Sequence, residues 1–463
     1  MVFDPALADI RFGTGVSPRF ARPTGVEDML RRLTGPDRMA EAYPVPRFDG
    51  EAGEDIREFH RLLQARKKVR GTEAETPARR QLSKHRKKLR AAEMQSARHI
   101  LLRGIMSEDG FRERLVWFWT DHFATGPRSQ LHRASMASYV EDAIRPHVAG
   151  RFADMLWAAE THPIMQVYLD QQKNYGPNSA AAQKSKRKIG LNENLGREML
   201  ELHTLGVGGG YTQADVTALA GLLTGLKVEK NTRAVFKPNA AEPGPFMILG
   251  QYWGGAPGDR ERELREFVEA LSVNPVTLRH LAYKLAVYFV ADAPDEGLVE
   301  HMAAAMIGAN GDLVAGYRAM LEHPASWSPA PSNVKPPIDF MVSACRALDI
   351  HPAMLERMND SNTKARFLVP MSLMGQPWFD PNGPDGLPEA DYRWVSPQGL
   401  AERIQWSMTA PQALTTKLPD PRSFVETALA GRAPEPVKFA AKAAETDWEG
   451  IGLILSSPAF QRR

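Results

Sequence analysis

Carboxylates, imidazole and amides crowd into one stretch of the chain, GLNENLGREMLELHTLGVGGGYTQADVTALAGLLTG, running from Gly190 to Gly225. A carboxylate close to an imidazole can exchange protons with a substrate, so the pattern raises general acid–base chemistry. At about 100° per residue, Leu195, Met199 and Leu202 share one helical face. Asn194, Glu198 and Glu201 form a polar row on the adjacent flank, and Leu205 falls among them. Glu198 therefore lies beside Leu202 and Leu205, where its carboxylate is expected to be partly desolvated and in need of a partner. Arg197 sits four residues after Glu193 and four before Glu201, the spacing of solvated ion pairs on a helix surface.

Two histidines could answer Glu198. His203 follows it by five residues, so the two side chains diverge by roughly 140° around a helix. A di-metal carboxylate helix needs Glu-x-x-His, and the residue three before His203 is Leu200, so no metal site is expected. Lying against Met199 and Gly196, His203 reads first as a hydrogen-bonded core histidine. His122 closes FRERLVWFWTDHF and shares a face with Leu115, Phe118 and Trp119, where burial disfavours the charged ring. Asp121 beside it is placed to reach a helix terminus or a basic partner. A hydrolytic reading makes Glu198 the acid or base, His122 or His203 its proton partner, and Asn194 and Arg197 the groups that orient charge.

The elements that must carry these residues are helices. Asn192 is expected to cap a helix reaching about Leu205, Gly206 to supply its left-handed end, and Val207 to follow as the apolar contact. Three further glycines lead to Thr212, which caps the next helix with Asp215 three residues on. Helical periodicity also covers 93–106, 111–122, 135–144, 152–159, 260–271, 276–291, 298–306, 313–321 and 338–348. Pro275, Pro397 and Pro458 suit first turns, with Asn274, Ser396 and Ser457 before them. The polar stretch 171–188 reads as a mobile surface loop. Residues 230–256 read as a small hairpin or irregular insertion, and 368–394, rich in Pro and Gly, as one wall of a cleft.

The expectation is an all-α, multi-helical, bundle-like body. Its parts are a helical region 1–229, the insertion 230–256 and a helical region 257–463 that could be continuous with the first. With 463 residues, 43% hydrophobic and 24% charged, the chain can bury a sizeable core. A net charge of +3 is too small to imply nucleic acid, and the only cysteine, Cys345, excludes internal disulfides and a cysteine cluster. No stretch approaches the ~20 apolar residues of a membrane span, and the N-terminus carries no signal-peptide pattern, so a cytoplasmic location is expected. The run 66–90 concentrates Lys and Arg without interleaved aromatic residues. It reads as a solvated helical arm before it reads as a contact for nucleic acid or an anionic surface.

The central motif, with FWTDHF, RPHVAGRF, HPIMQVYLD, VKPPIDFMVSACRALDI and LILSSPAFQRR, resembles the bacterial family catalogued as domain of unknown function 1800 over nearly the whole chain. The resemblance carries over His122, Asn192, Glu193, Asn194, Arg197, Glu198, Glu201, His203, Tyr211, Thr212 and Asp215. Asp121 stands where Asn is usual, Gly221 where Arg is usual and Leu226 where Trp is usual. The family has no agreed reaction, and its resemblance implies a sulfatase-like partner from a neighbouring gene. With no complete nucleophile, phosphate-loop or metal motif, the first functional expectation is an accessory or binding protein without a cofactor. Asn194, Arg197, Glu201, Asp121 and Tyr211 are its candidate contacts. The hydrolase with Glu198, His122 and His203 is the alternative, and the basic arm the weaker third.

Overall fold

The computed structural model describes residues 3–186, 189–229, 232–329 and 333–463, and the chain is mostly helical. The basic run is helical apart from its turn and mostly exposed. It covers the end of the first helix, the turn and the first half of the second in a helical hairpin, α1 (Glu51–Lys68) and α2 (Glu75–Met106). Pro77 is tolerated because it sits in the first turn of α2, where an amide hydrogen would have no helical acceptor. Gly71 makes the turn at φ +80°. Asp55 ties the hairpin together: its carbonyl meets His85 Nε2 at 2.8 Å and its carboxylate accepts from Lys88 at 2.7 Å.

The apolar interior falls into two clusters. One gathers α3 (Gly110–His122), α4 (Phe152–Thr161), α5 (Asn194–Glu201), α6 (Gln213–Leu222), α7 (Pro275–Phe289) and α8 (Leu313–Glu322). The other centres on α9 (Pro337–Ala347), α10 (Pro397–Leu414) and α11 (Asp447–Ser456). Leu89 of α2 belongs to the first cluster and Met94 through Ile105 to the second, so α2 spans both. Cys345 is fully buried in α9. No helix among the described residues is long and apolar enough to cross a membrane.

The insertion is two antiparallel hairpins rather than one. β1 (Leu226–Glu229) pairs with β2 (Arg233–Phe236), and β3 (Phe246–Ile248) with β4 (Gln251–Trp253). Its expected start at 230 and 231 lies outside the described residues, and the first strand already begins at Leu226. Gly225, at φ +92°, lets the chain turn directly from α6 into β1.

The stretch 171–186 also departs from a surface loop, and residues 187 and 188 lie outside the description. Gln171 and Asn174 are fully buried, and their amides donate to the carbonyls of Leu223 and Ala220 at the end of α6. Lys227 Nζ caps the Asn174 carbonyl and lies 3.3 Å from the Tyr175 ring centre. Polar composition misleads here because these side chains satisfy backbone groups in the interior.

Candidate active or binding site

Helix α3 has two opposite faces, and they serve different purposes. Asp109 caps it by accepting the Arg112 amide at 3.1 Å. Positions 113, 116, 117, 120 and 121 recur at helical spacing and face a cavity of about 110 Å³. Residues 114, 115, 118, 119 and 122 face the other way into the core. On that inner face Trp119 Nε1 donates to the Tyr317 hydroxyl at 2.7 Å, and the Arg114 guanidinium donates to the buried Asp339 at 2.9 Å.

Aromatic and aliphatic side chains line most of the cavity: Trp117, Tyr139, Ile338, Met371, Trp378 and Phe379. The last two come from the Pro/Gly-rich segment that the sequence marked as a cleft wall. Most charged groups lining the cavity are already paired. Arg103 grips Glu141 with two bonds of 2.7 Å, and Arg145 holds Glu113 and Asp37 at 2.7 and 2.6 Å. Asp121 is the exception in kind. It accepts the Leu387 amide at 2.8 Å, and burial pushes its carboxyl up to about 7 while Lys284 pulls it down. Near neutral pH that group exists as both acid and base.

The central motif forms its helix pair, with changed limits. Asn192 accepts the Asn194 amide at 3.1 Å but stands one residue outside the cap, which is Glu193. The helix ends at Glu201, not Leu205. The amides of His203 and Leu205 bond back five residues, to Glu198 and Leu200, widening the last turn. Gly206 takes φ +84° as expected, but Val207 is 79% exposed rather than a buried apolar contact. Thr212 and Asp215 form the capping box.

Glu193 clasps the two helices, accepting from Arg197 at 3.2 Å, Gln213 at 2.9 Å and Thr217 at 2.7 Å. Arg197 thus pairs with Glu193, while Glu201 accepts from the Tyr211 hydroxyl; burial and that bond raise the phenol to about 12. Asn194 is exposed. Glu198 is half-buried, and desolvation raises its carboxyl above the ordinary carboxylate range. At Gly221 a side chain would collide with Phe246, and a guanidinium arrives from elsewhere: fully buried Arg260 approaches the Gly221 carbonyl at 3.4 Å.

His203 meets a carboxylate that sequence reasoning did not single out. Its Nδ1 lies 2.6 Å from Glu160 Oε1 of α4, with both side chains removed from solvent. His122 Nε2 lies 3.1 Å from the His203 carbonyl, and the two rings are 6.0 Å apart. A carbonyl can only accept, so His122 carries its proton on Nε2 and leaves Nδ1 as a bare acceptor. Burial holds that ring well below the usual histidine range, hence neutral. His280, beside Gly206, is pushed down to about 4 by burial. Glu160, in the apolar run MLWAAET, carried one signal: a lone carboxylate among residues destined for the core must have a partner. Asp121 and His122, adjacent in sequence, therefore belong to different environments, the cavity and the sealed interior. No cluster of His, Cys, Asp and Glu suited to a metal ion occurs among the described residues.

A family model described as "Protein of unknown function (DUF1800)" matches residues 10–462. No curated protein and no solved structure matches the chain.

Proposed function

The chain belongs to the DUF1800 family, and from that premise we propose a binding protein whose ligand inserts an apolar or aromatic group into the cavity along α3. What carries this reading is the lining itself. Trp117, Tyr139, Trp378 and Phe379 surround the space, and the neighbouring charges of Arg103, Glu141, Glu113 and Arg145 are paired with one another. Binding pockets are commonly apolar with a few placed polar groups, here Asp121, Thr120 and Thr125. The sulfatase-like partner enters through the family resemblance, and in this reading it is the source of the inserted group. The test uses the dye 1-anilinonaphthalene-8-sulfonate. The protein should bind it saturably, Ala137→Trp should block the cavity, and Trp378→Ala should weaken binding about tenfold. Equal dye binding by all three folded proteins rejects the cavity as the ligand site.

A second reading, acid–base hydrolysis, draws support from Asp121 more than from Glu198 or the histidines. A carboxyl that titrates near 7 at a cavity wall is matched to proton transfer at neutral pH. Glu198, His122 and His203 remain candidates in this reading, with Glu160 as the group that orients His203. A turnover that survives Asp121→Asn and Glu198→Gln in folded protein removes it.

A further inference from the structure

A second concavity, of about 410 Å³, opens beside the 127–133 turn. Its walls are Arg90 and Glu93 of α2, Pro127, Arg128, Ser129 and Arg133 of the turn, and Lys364. Three segments distant in sequence thus bring four cationic side chains and one carboxylate around one space. We propose that this pocket binds a compact tetrahedral oxyanion of the phosphate or sulfate type, through Arg90, Arg128, Arg133 and Lys364.

Two of the four cations are held in place by contacts that leave donors over. Arg128 lies over the Tyr168 ring at 5.0 Å and donates both Nε and Nη2 to the Tyr168 carbonyl, at 3.0 and 2.5 Å, which leaves Nη1. Arg133 commits one Nη2 contact to Asp380 at 2.8 Å, in a pair whose members are 40% and 45% exposed, so it is weakly bound and exchangeable. A guanidinium offers five N–H donors, and its fork matches two oxygens of an oxyanion. Ser129 adds a hydroxyl, and Glu93 lines the pocket half-buried.

The surroundings favour an anion as well. Arg79, Arg86 and Arg90 recur at seven- and four-residue spacing, so they share one flank of α2 and lead to the pocket. A stripe of one sign raises the local concentration of the opposite ion and its on-rate.

The experiment titrates inorganic phosphate and inorganic sulfate into the full chain by isothermal titration calorimetry, with ionic strength held constant by sodium chloride. Saturable binding at one site is expected, weakened about tenfold by Arg133→Gln and by Lys364→Gln, because each removes a charge-assisted contact. Arg80→Gln with Lys84→Gln, on α2 away from the pocket, should change affinity by less than about twofold. Glucose 6-phosphate distinguishes a free ion from the same group on a sugar. Binding equal to that of phosphate supports the ion, and tighter binding supports the sugar-borne group. The proposal falls if no saturable binding appears by about 10 mM, or if the arm variants weaken it as much as Arg133→Gln and Lys364→Gln do.

Discussion

Replacing Asp121 with asparagine should make the protein more stable, and increasingly so as pH rises. Asp121 is pushed up to about 7 from an ordinary value of 3.8. Between those values the folded protein keeps a proton that the unfolded chain has released. Folding is therefore favoured at the acid end, and stability falls as pH climbs from about 4 to about 7. A span of about three pH units at about 1.4 kcal/mol each gives about 4 kcal/mol, and about half that is expected once water at the cavity mouth screens the charge. The side chain introduced by Asp121→Asn carries no such cost. Its amide oxygen can still accept the Leu387 amide, which lies 2.8 Å from the native carboxylate, and its nitrogen replaces the hydroxyl of the protonated acid. Urea unfolding of both proteins at pH 4.5, 6 and 8, at one ionic strength, reads the difference. The gap should be about 0.5 kcal/mol at pH 4.5 and about 2 kcal/mol at pH 8. A gap that is flat with pH, or a variant less stable at pH 8, would refute a strained carboxyl here.

Two further expectations test the interior and the central turn. His203→Ala leaves the Glu160 carboxylate buried without its 2.6 Å partner and should cost about 3 kcal/mol or more, whereas Glu160→Gln keeps an acceptor for the ring and should cost less, both by thermal unfolding; equal small losses would mean water already reaches the pair. Gly206→Ala forces a side chain to φ +84° and to within 2.7 Å of the His280 ring, so its midpoint should fall by an amount equivalent to about 2 kcal/mol, and a neutral result would show that the turn can relax.

What could be read from the sequence was local. The caps at Thr212, Asn274, Ser396 and Ser457 and the left-handed turn at Gly206 depend on residues within a few positions of each other, whereas the stretch after Leu368, expected to be irregular, begins with a short helix at Val369–Leu373. The failures depend on distance along the chain. Glu160 and His203 are 43 residues apart, and nothing near either names the other. Gln171 and Asn174 looked like loop residues because their acceptors lie in a helix about fifty positions later. The early end of α5 has the same origin, because the His203 ring is bonded to α4 and the last turn widens there. Buried Glu113 and Arg114 were hidden for another reason. A charged pair in an amphipathic helix is usually solvated, and only the partners Arg145 and Asp339 make burial tolerable.

The cavity itself is bounded on one side by the Pro/Gly-rich segment. The segment 376–391 has little regular backbone pairing, so side-chain tethers must fix its position over α3. Asp121 holds the Leu387 amide, Arg133 holds Asp380, and Lys284 holds Glu389 at 2.7 Å. The Arg133–Asp380 pair is exposed and individually weak, whereas the bond from the Leu387 amide to Asp121 is buried. The aromatic face contributed by Trp378 and Phe379 is thus held by side-chain tethers, to which Gln376 adds by accepting the Ile338 amide at 2.7 Å, while Trp117 stands on the regular helix α3. One wall of the cavity is therefore built on a regular helix, and the other on an irregular segment tethered by polar side chains.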